Sequence, residues 1–217
     1  MPVDQPPSGR PPSGNPPSGN PTSGNATPTN PVPGNPSPTN PVPGNPTPTR
    51  KAVVSIELTL DAATDAAVRA DWARLIDAGL PSLGRHPSPS NSPHITLLVR
   101  STLEPVDFAS AVDLLPIDVE LGEPTVFPHG DRGVLVRPLL VDESLRRLHR
   151  AVHDAAPPGE DAPFTAPGDW TPHVTLARRL RLDRLDEALA LLGPAGRGRG
   201  VALRRWDSVT ATVTVLG

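Results

Sequence analysis

Two short stretches of the chain carry residues that could move protons. Ser92-Pro93-His94-Ile95-Thr96-Leu97 and Thr171-Pro172-His173-Val174-Thr175-Leu176 match in residue type at all six positions. In an extended strand residues i and i+2 share a face, so His94 projects beside Thr96 and His173 beside Thr175, while Ile95, Leu97, Val174 and Leu176 turn inward. A neutral imidazole can take a proton from water and an opposed imidazolium can give one to a departing alkoxide, both near neutral pH. The hydroxyls of Thr96 and Thr175 suit the nonbridging oxygens of a phosphate held in line between base and acid. One histidine cannot play both parts at once, so the pattern has chemical meaning only if the two converge; such a site needs no metal. Taken singly, a histidine at a strand start reads as an ordinary satisfied side chain.

The elements that must position these residues occur twice. Val54, Ile56, Leu58 and Leu60 alternate as one face of a strand. A helix follows from an N-cap at Asp61, through Ala66, Ala67, Ala70, Trp72, Ala73 and Ile76, to a stop at Gly79 and Pro81. Residues 81–93 read as a loop, His94 to Val99 as a strand, 105–115 as a helix and 116–121 as a strand. The order then repeats: a strand beginning at Val134, a helix from Asp142 to Ala155, a loop, the strand of His173, a helix near 182–192, and strands near 201–205 and 208–216. The two histidines are separated by about the same interval as the strands that open the halves. A tandem β-α-β-α-β unit is therefore expected, its lobes related by an approximate twofold with both His-Thr pairs facing one groove.

Residues 1–50 differ sharply from the rest. From Pro6 to Arg50 they form nine pentapeptides, with Asn at the fifth position of seven, and they hold most of the 32 prolines. Such a tract has almost nothing to bury, so a disordered tail of polyproline II character is expected, with the folded domain spanning 51–217. Setting aside Arg10, Arg50 and Asp4 leaves 18 Lys plus Arg against 22 Asp plus Glu, from the chain's 20 and 23. That balance is mildly acidic and argues against a broad nucleic-acid surface, although clustered arginines in the second half (Arg178, Arg179, Arg181, Arg197, Arg199, Arg204 and Arg205) leave room for local phosphate recognition. With no cysteine, thiolate nucleophiles, disulfides and Cys-ligated zinc are excluded. No apolar leader and no run of eighteen apolar residues is seen, so a cytoplasmic protein without membrane contact, monomeric, is the expectation.

Several other residues are candidates with two readings each. Trp170, three residues before His173, could stack on a base or ribose at the mouth of the groove, or pack in the core. Phe127 and Phe164 share those readings. Arg100 and Arg179, each the sixth residue after its histidine, would lie on the histidine's face of a regular strand and extend the phosphate site. His149 and His153, spaced i and i+4 on a helix, have a metal-binding interval but no evident third ligand, and read as helix surface. His86 and His129 read as solvated loop residues, and Gly196-Arg197-Gly198-Arg199-Gly200 as a flexible loop.

The paired motifs resemble those of the 2H phosphoesterase superfamily, which includes the bacterial 2'-5' RNA ligase and RNA 2',3'-cyclic phosphodiesterase group. Its signature is two His-x-Thr-x motifs, and the resemblance covers the chain from Lys51 onward. It implies a bilobal α+β fold of mostly antiparallel sheet flanked by helices around a central cleft. It also implies cofactor-free hydrolysis of a 2',3'-cyclic phosphate on an RNA end or small nucleotide, with His94 as proton donor, His173 as acceptor, and Thr96 and Thr175 on the phosphate. A noncatalytic RNA- or nucleotide-binding module, or a ligase running the chemistry in reverse, are the alternatives.

Overall fold

In a computed structural model of the chain, residues 52–216 are described; the expected disordered tail, 1–50, lies outside them. The elements run β1 (Val54–Leu60), α1 (Ala62–Asp77), β2 (His94–Arg100), α2 (Ala109–Val112), β3 (Ile117–Leu121), β4 (Thr125–His129), β5 (Arg132–Leu140), α3 (Glu143–Ala155), β6 (His173–Arg181), α4 (Leu185–Leu191), β7 (Gly196–Asp207) and β8 (Thr212–Leu216). The β-α-β-α-β order thus occurs twice, with β4 and β8 added as hairpin partners of β5 and β7. Every strand pairing is antiparallel, and the class is α+β. No helix of the described residues is long and apolar enough to cross a membrane.

The two halves share one sheet system through their strand pairing. The strands run β2-β1-β7-β3-β5, with β4 and β6 flanking β5. The last strand of the second half, β7, lies beside β1 of the first, and β3 of the first half meets β5 of the second through Glu120 and Leu121. The segment read as a glycine loop makes this possible. Gly196–Gly200 is the start of β7 and pairs with β3, while Gly200–Asp207 pairs with β1. A Cβ on Gly198 would fall 1.8 Å from the Thr64 hydroxyl oxygen, so glycine there lets the strand pass directly against the start of α1.

Helix α1 begins where Asp61 caps it: one carboxylate oxygen accepts from the amides of Ala63 and Thr64, the other from the Thr64 hydroxyl and the Arg199 amide. These bonds, that from the Thr64 hydroxyl foremost, lower the Asp61 carboxyl to about 2. The helix stops at Gly79, whose φ of +70° is adopted at least cost by a residue without a Cβ. Its buried stripe, Thr64, Val68, Asp71, Trp72 and Leu75, follows helical spacing, as does Leu145, Leu148, His149 and Val152 of α3. The helix expected at 105–115 shrinks to Ala109–Val112, whose first amide donates to the Asp107 carboxylate at 2.8 Å and which ends short of Pro116.

The core is built mainly from aliphatic side chains, among them Ile56, Leu58, Leu97, Leu98, Leu135, Leu148, Leu176 and Leu203, all fully buried. The helices also reach across the halves. Trp72 of α1 donates its indole N–H to the Thr175 carbonyl of β6 at 3.1 Å, and α3 lies against β2. One buried ion pair fastens the assembly: Arg137 of β5 donates twice to one oxygen of Asp71, whose other oxygen accepts from the Gly193 amide and Arg74.

Candidate active site

Strands β2 and β6 each open on their histidine, and in both the motif alternates as expected. His94, Thr96, His173 and Thr175 are part-exposed, whereas Ile95, Leu97, Val174 and Leu176 are fully buried. The imidazoles are tethered alike. Each Nδ1 lies 2.8 Å from the carbonyl oxygen two residues earlier, Ser92 for His94 and Thr171 for His173. In His173, with Nδ1–H donated there, Nε2 is left as the nitrogen free to exchange a proton. β2 and β6 approach one another, and the His94 charge reaches His173, lowering its affinity for a proton.

The surfaces beneath the two rings differ. Cross-strand partners share a face, which places Glu57 beside Thr96 and Thr59 beside His94 on β1, and Val136 beside Thr175 and Pro138 beside His173 on β5. The floor under His94 is therefore polar, Ser55, Glu57 and Thr59, and that under His173 apolar, Val134, Val136 and Pro138. Phe127 of β4 adds to the second, meeting the His173 ring edge to face at 5.2 Å between centroids. His173 is lowered below the usual imidazole value, chiefly by burial, with the charges of His94 and Arg178 acting in the same direction and the Thr171 carbonyl against them. Around His94 the groups are charged: Glu57 Oε1 lies 3.6 Å from Nε2, and Arg204 Nη2 lies 3.2 Å from Nδ1.

Both motif strands carry a bulge directly after the threonine, and this relocates the arginines expected at the site. In β2, Thr96 pairs with Glu57 but Leu98 pairs with Ile56, so Leu97 is an extra residue. Beyond it the faces exchange, and Arg100 lies on the face opposite His94. Its guanidinium is buried and committed to Asp161 at 2.7 Å and to the Pro157 carbonyl, so the expected substrate contact is replaced by a structural one. In β6, Leu176 is the extra residue, and a second irregularity follows at 178–179, where Arg179 takes a φ of +59°. The cation on the His173 face is therefore Arg178, one residue earlier than the alternation predicted. Its charge acts on His173, whereas Arg179 sits exposed in the bulge.

Trp170 follows the packing reading rather than the stacking one. Its indole N–H donates to the Thr96 carbonyl at 3.0 Å, and its ring lies flat on His149, 3.9 Å between centroids and 8° from parallel. This is part of a cover over the free edge of β2: the Ala162 amide donates to the Val99 carbonyl, and His153 Nε2 is 3.2 Å from the Leu97 carbonyl. His149 and His153 are accordingly internal, not a helix surface. His153 pairs with Asp161 at 3.3 Å, and burial pushes His149 down to about 4. His129 ends strand β4 rather than lying in a loop, and Phe164 is exposed at a φ of +64°.

Sequence reasoning singled out neither Glu57 nor Phe127 as a neighbour of a histidine, and placed Arg204 only among clustered arginines. Glu57 had one available signal: it is a carboxylate on the polar face of the strand expected to open the domain. Cavities of about 450 and 550 Å³ lie beside β3 and beside α1, and neither histidine lines them.

A family model described as the 2'-5' RNA ligase superfamily matches residues 64–216. No curated protein matches the chain. Among solved structures the chain is similar to Kluyveromyces marxianus Usb1 with uridine monophosphate, at 15% identity and a TM-score of 0.40, covering 76% of this chain and 97% of that one. A second structure of Usb1 from the same organism gives 15% identity and a TM-score of 0.37 over 76% and 96% of the two chains.

Proposed function

The chain belongs to the 2'-5' RNA ligase superfamily of 2H phosphoesterases, and on that premise we propose that it hydrolyses a 2',3'-cyclic phosphate, at an RNA end or on a small nucleotide, without a metal or cofactor. His173 takes a proton from the attacking water through Nε2. As the water oxygen bonds to phosphorus, the bond to one ribose oxygen breaks, and His94 delivers its proton to that oxygen, leaving a phosphomonoester. A further proton exchange with solvent restores both rings. Thr96 and Thr175 donate their hydroxyl hydrogens to the nonbridging oxygens, and Arg178 adds positive charge on the His173 side, where the phosphate gains negative character in the transition state.

The observation that carries this reading is the contrast between two identically tethered imidazoles. Apolar surroundings and neighbouring positive charge keep His173 neutral, as a base must be, while His94 sits among charged groups, Glu57 and Arg204, and takes the other part. The test is release of a phosphomonoester from an oligonucleotide ending in a 2',3'-cyclic phosphate, in EDTA. His94→Ala and His173→Ala should each lower kcat by about 10²- to 10⁴-fold. Undiminished turnover in either variant would refute the assignment.

A further inference from the structure

Two buried charges beside His94 take no direct part in that chemistry. Glu57 and Arg204 are 5% and 7% exposed. They are cross-strand partners on β1 and β7, and Glu57 is in turn the cross-strand partner of Thr96, so Arg204, Glu57 and Thr96 form one row across three strands. Every arm of the pair is engaged. Arg204 Nε donates to Glu57 Oε2 at 2.7 Å, and Ser55 donates its hydroxyl to Glu57 Oε1 at 2.6 Å. Arg204 Nη1 donates to the Ser90 carbonyl at 3.1 Å and to the Ser92 hydroxyl.

Those last two bonds grip the residues that lead into His94, and the Ser92 carbonyl oxygen lies 2.8 Å from His94 Nδ1. The ring itself lies along the pair, with Nδ1 towards Arg204 and Nε2 towards Glu57. The second half has no counterpart: Val136 stands beside Thr175 where Glu57 stands beside Thr96, and its partner on β4 is Thr125. A valine and an exposed threonine occupy that place and the sheet is formed all the same. A buried ion pair stabilises a fold no better than well-packed apolar side chains of the same volume, so its presence under one histidine alone calls for a reason at that histidine.

We propose that the Glu57–Arg204 pair is a positioning device for His94, holding the 90–94 segment and the ring so that Nε2 is presented to the leaving oxygen. The proposal rests on the phosphoesterase reading for its catalytic consequence, but not for its structural one. An arginine is required because its planar fork spans the carboxylate, a carbonyl and a hydroxyl together, which a lysine cannot do. Displacing a proton donor by about 1 Å is sufficient to lower turnover on the order of 10²-fold.

The test uses the full chain and the variants Glu57→Gln, Arg204→Met, Arg204→Lys and Ser55→Ala. Two quantities are read: kcat and KM on the cyclic-phosphate oligonucleotide, and the ring-nitrogen NMR signals of His94, which report its tautomer. Glu57→Gln and Arg204→Met should lower kcat by about 10- to 100-fold with KM within about twofold, and their His94 ring-nitrogen signals should shift away from the parent's. Arg204→Lys and Ser55→Ala, which keep the charges, should be intermediate in both and supply the answer if the severer variants do not fold. Unchanged kcat, or lowered kcat with His94 signals identical to the parent, overturns the proposal. If the parent chain cleaves no cyclic phosphate, the phosphoesterase reading fails, and the ring-nitrogen measurement still decides whether the pair positions His94.

Discussion

Acidification should loosen the cover over β2 through one residue, His149. The ring is 3% exposed, lies flat on Trp170, and has Nε2 2.9 Å from the Thr165 carbonyl. Burial lowers it to about 4 from an ordinary 6.5, with the His153 charge acting in the same direction and the Thr165 and Leu97 carbonyls and Asp161 against. Because the folded value lies below the unfolded one, the unfolded chain binds the proton more readily, and stability falls as pH drops through the window from 6.5 towards 4. Linkage puts the loss between pH 7 and pH 5 at about 2 kcal/mol. For a domain of this size that corresponds to roughly 4–8 °C in Tm. His149→Gln isolates the effect, since glutamine retains a donor for the Thr165 carbonyl and does not titrate. Thermal unfolding at pH 7 and pH 5 should show the parent losing more than the variant by that difference, because contributions from His173 and the carboxylates are common to both. Parallel losses in parent and variant would refute the reasoning.

Two further outcomes follow from particular contacts. Removing the Arg178 charge with Arg178→Gln should move the acidic limb of the kcat/KM profile to higher pH at low ionic strength, because that charge helps to hold His173 neutral, and the shift should shrink in high salt; an unmoved limb would remove Arg178 from the site. Asp71→Ala strands the buried Arg137 guanidinium and should cost about 3–5 kcal/mol in urea unfolding; a loss below about 1 kcal/mol would show that the pair is not holding α1 to β5.

What could be read from the sequence was what is written locally. The His-x-Thr stretches, the Asp61 cap and the alternation of β1 all depend on neighbours within a few residues, and each appears where expected. Arg100 and Arg179 were misplaced because a strand bulge adds one residue without altering composition, and a single added residue reverses every side chain beyond it. Gly196–Gly200 read as a loop because its strand character comes from partners, β3 and the start of α1, far away in sequence. Glu57 and Arg204 are separated by 147 residues, and no periodicity connects them. Trp170 had two readings because an indole serves equally well at a surface or in a core; the bond to the Thr96 carbonyl decides between them.

The exchange of β7 into the first half gives synthesis and assembly a definite order. A nascent chain that has emerged only as far as α4 contains both histidines, both threonines and the helices that brace them. It has no Arg204, and β1 still offers an unpaired edge where β7 will lie. Completion of the site therefore waits on β7, and the histidine made first receives its supports only after the second is already in place.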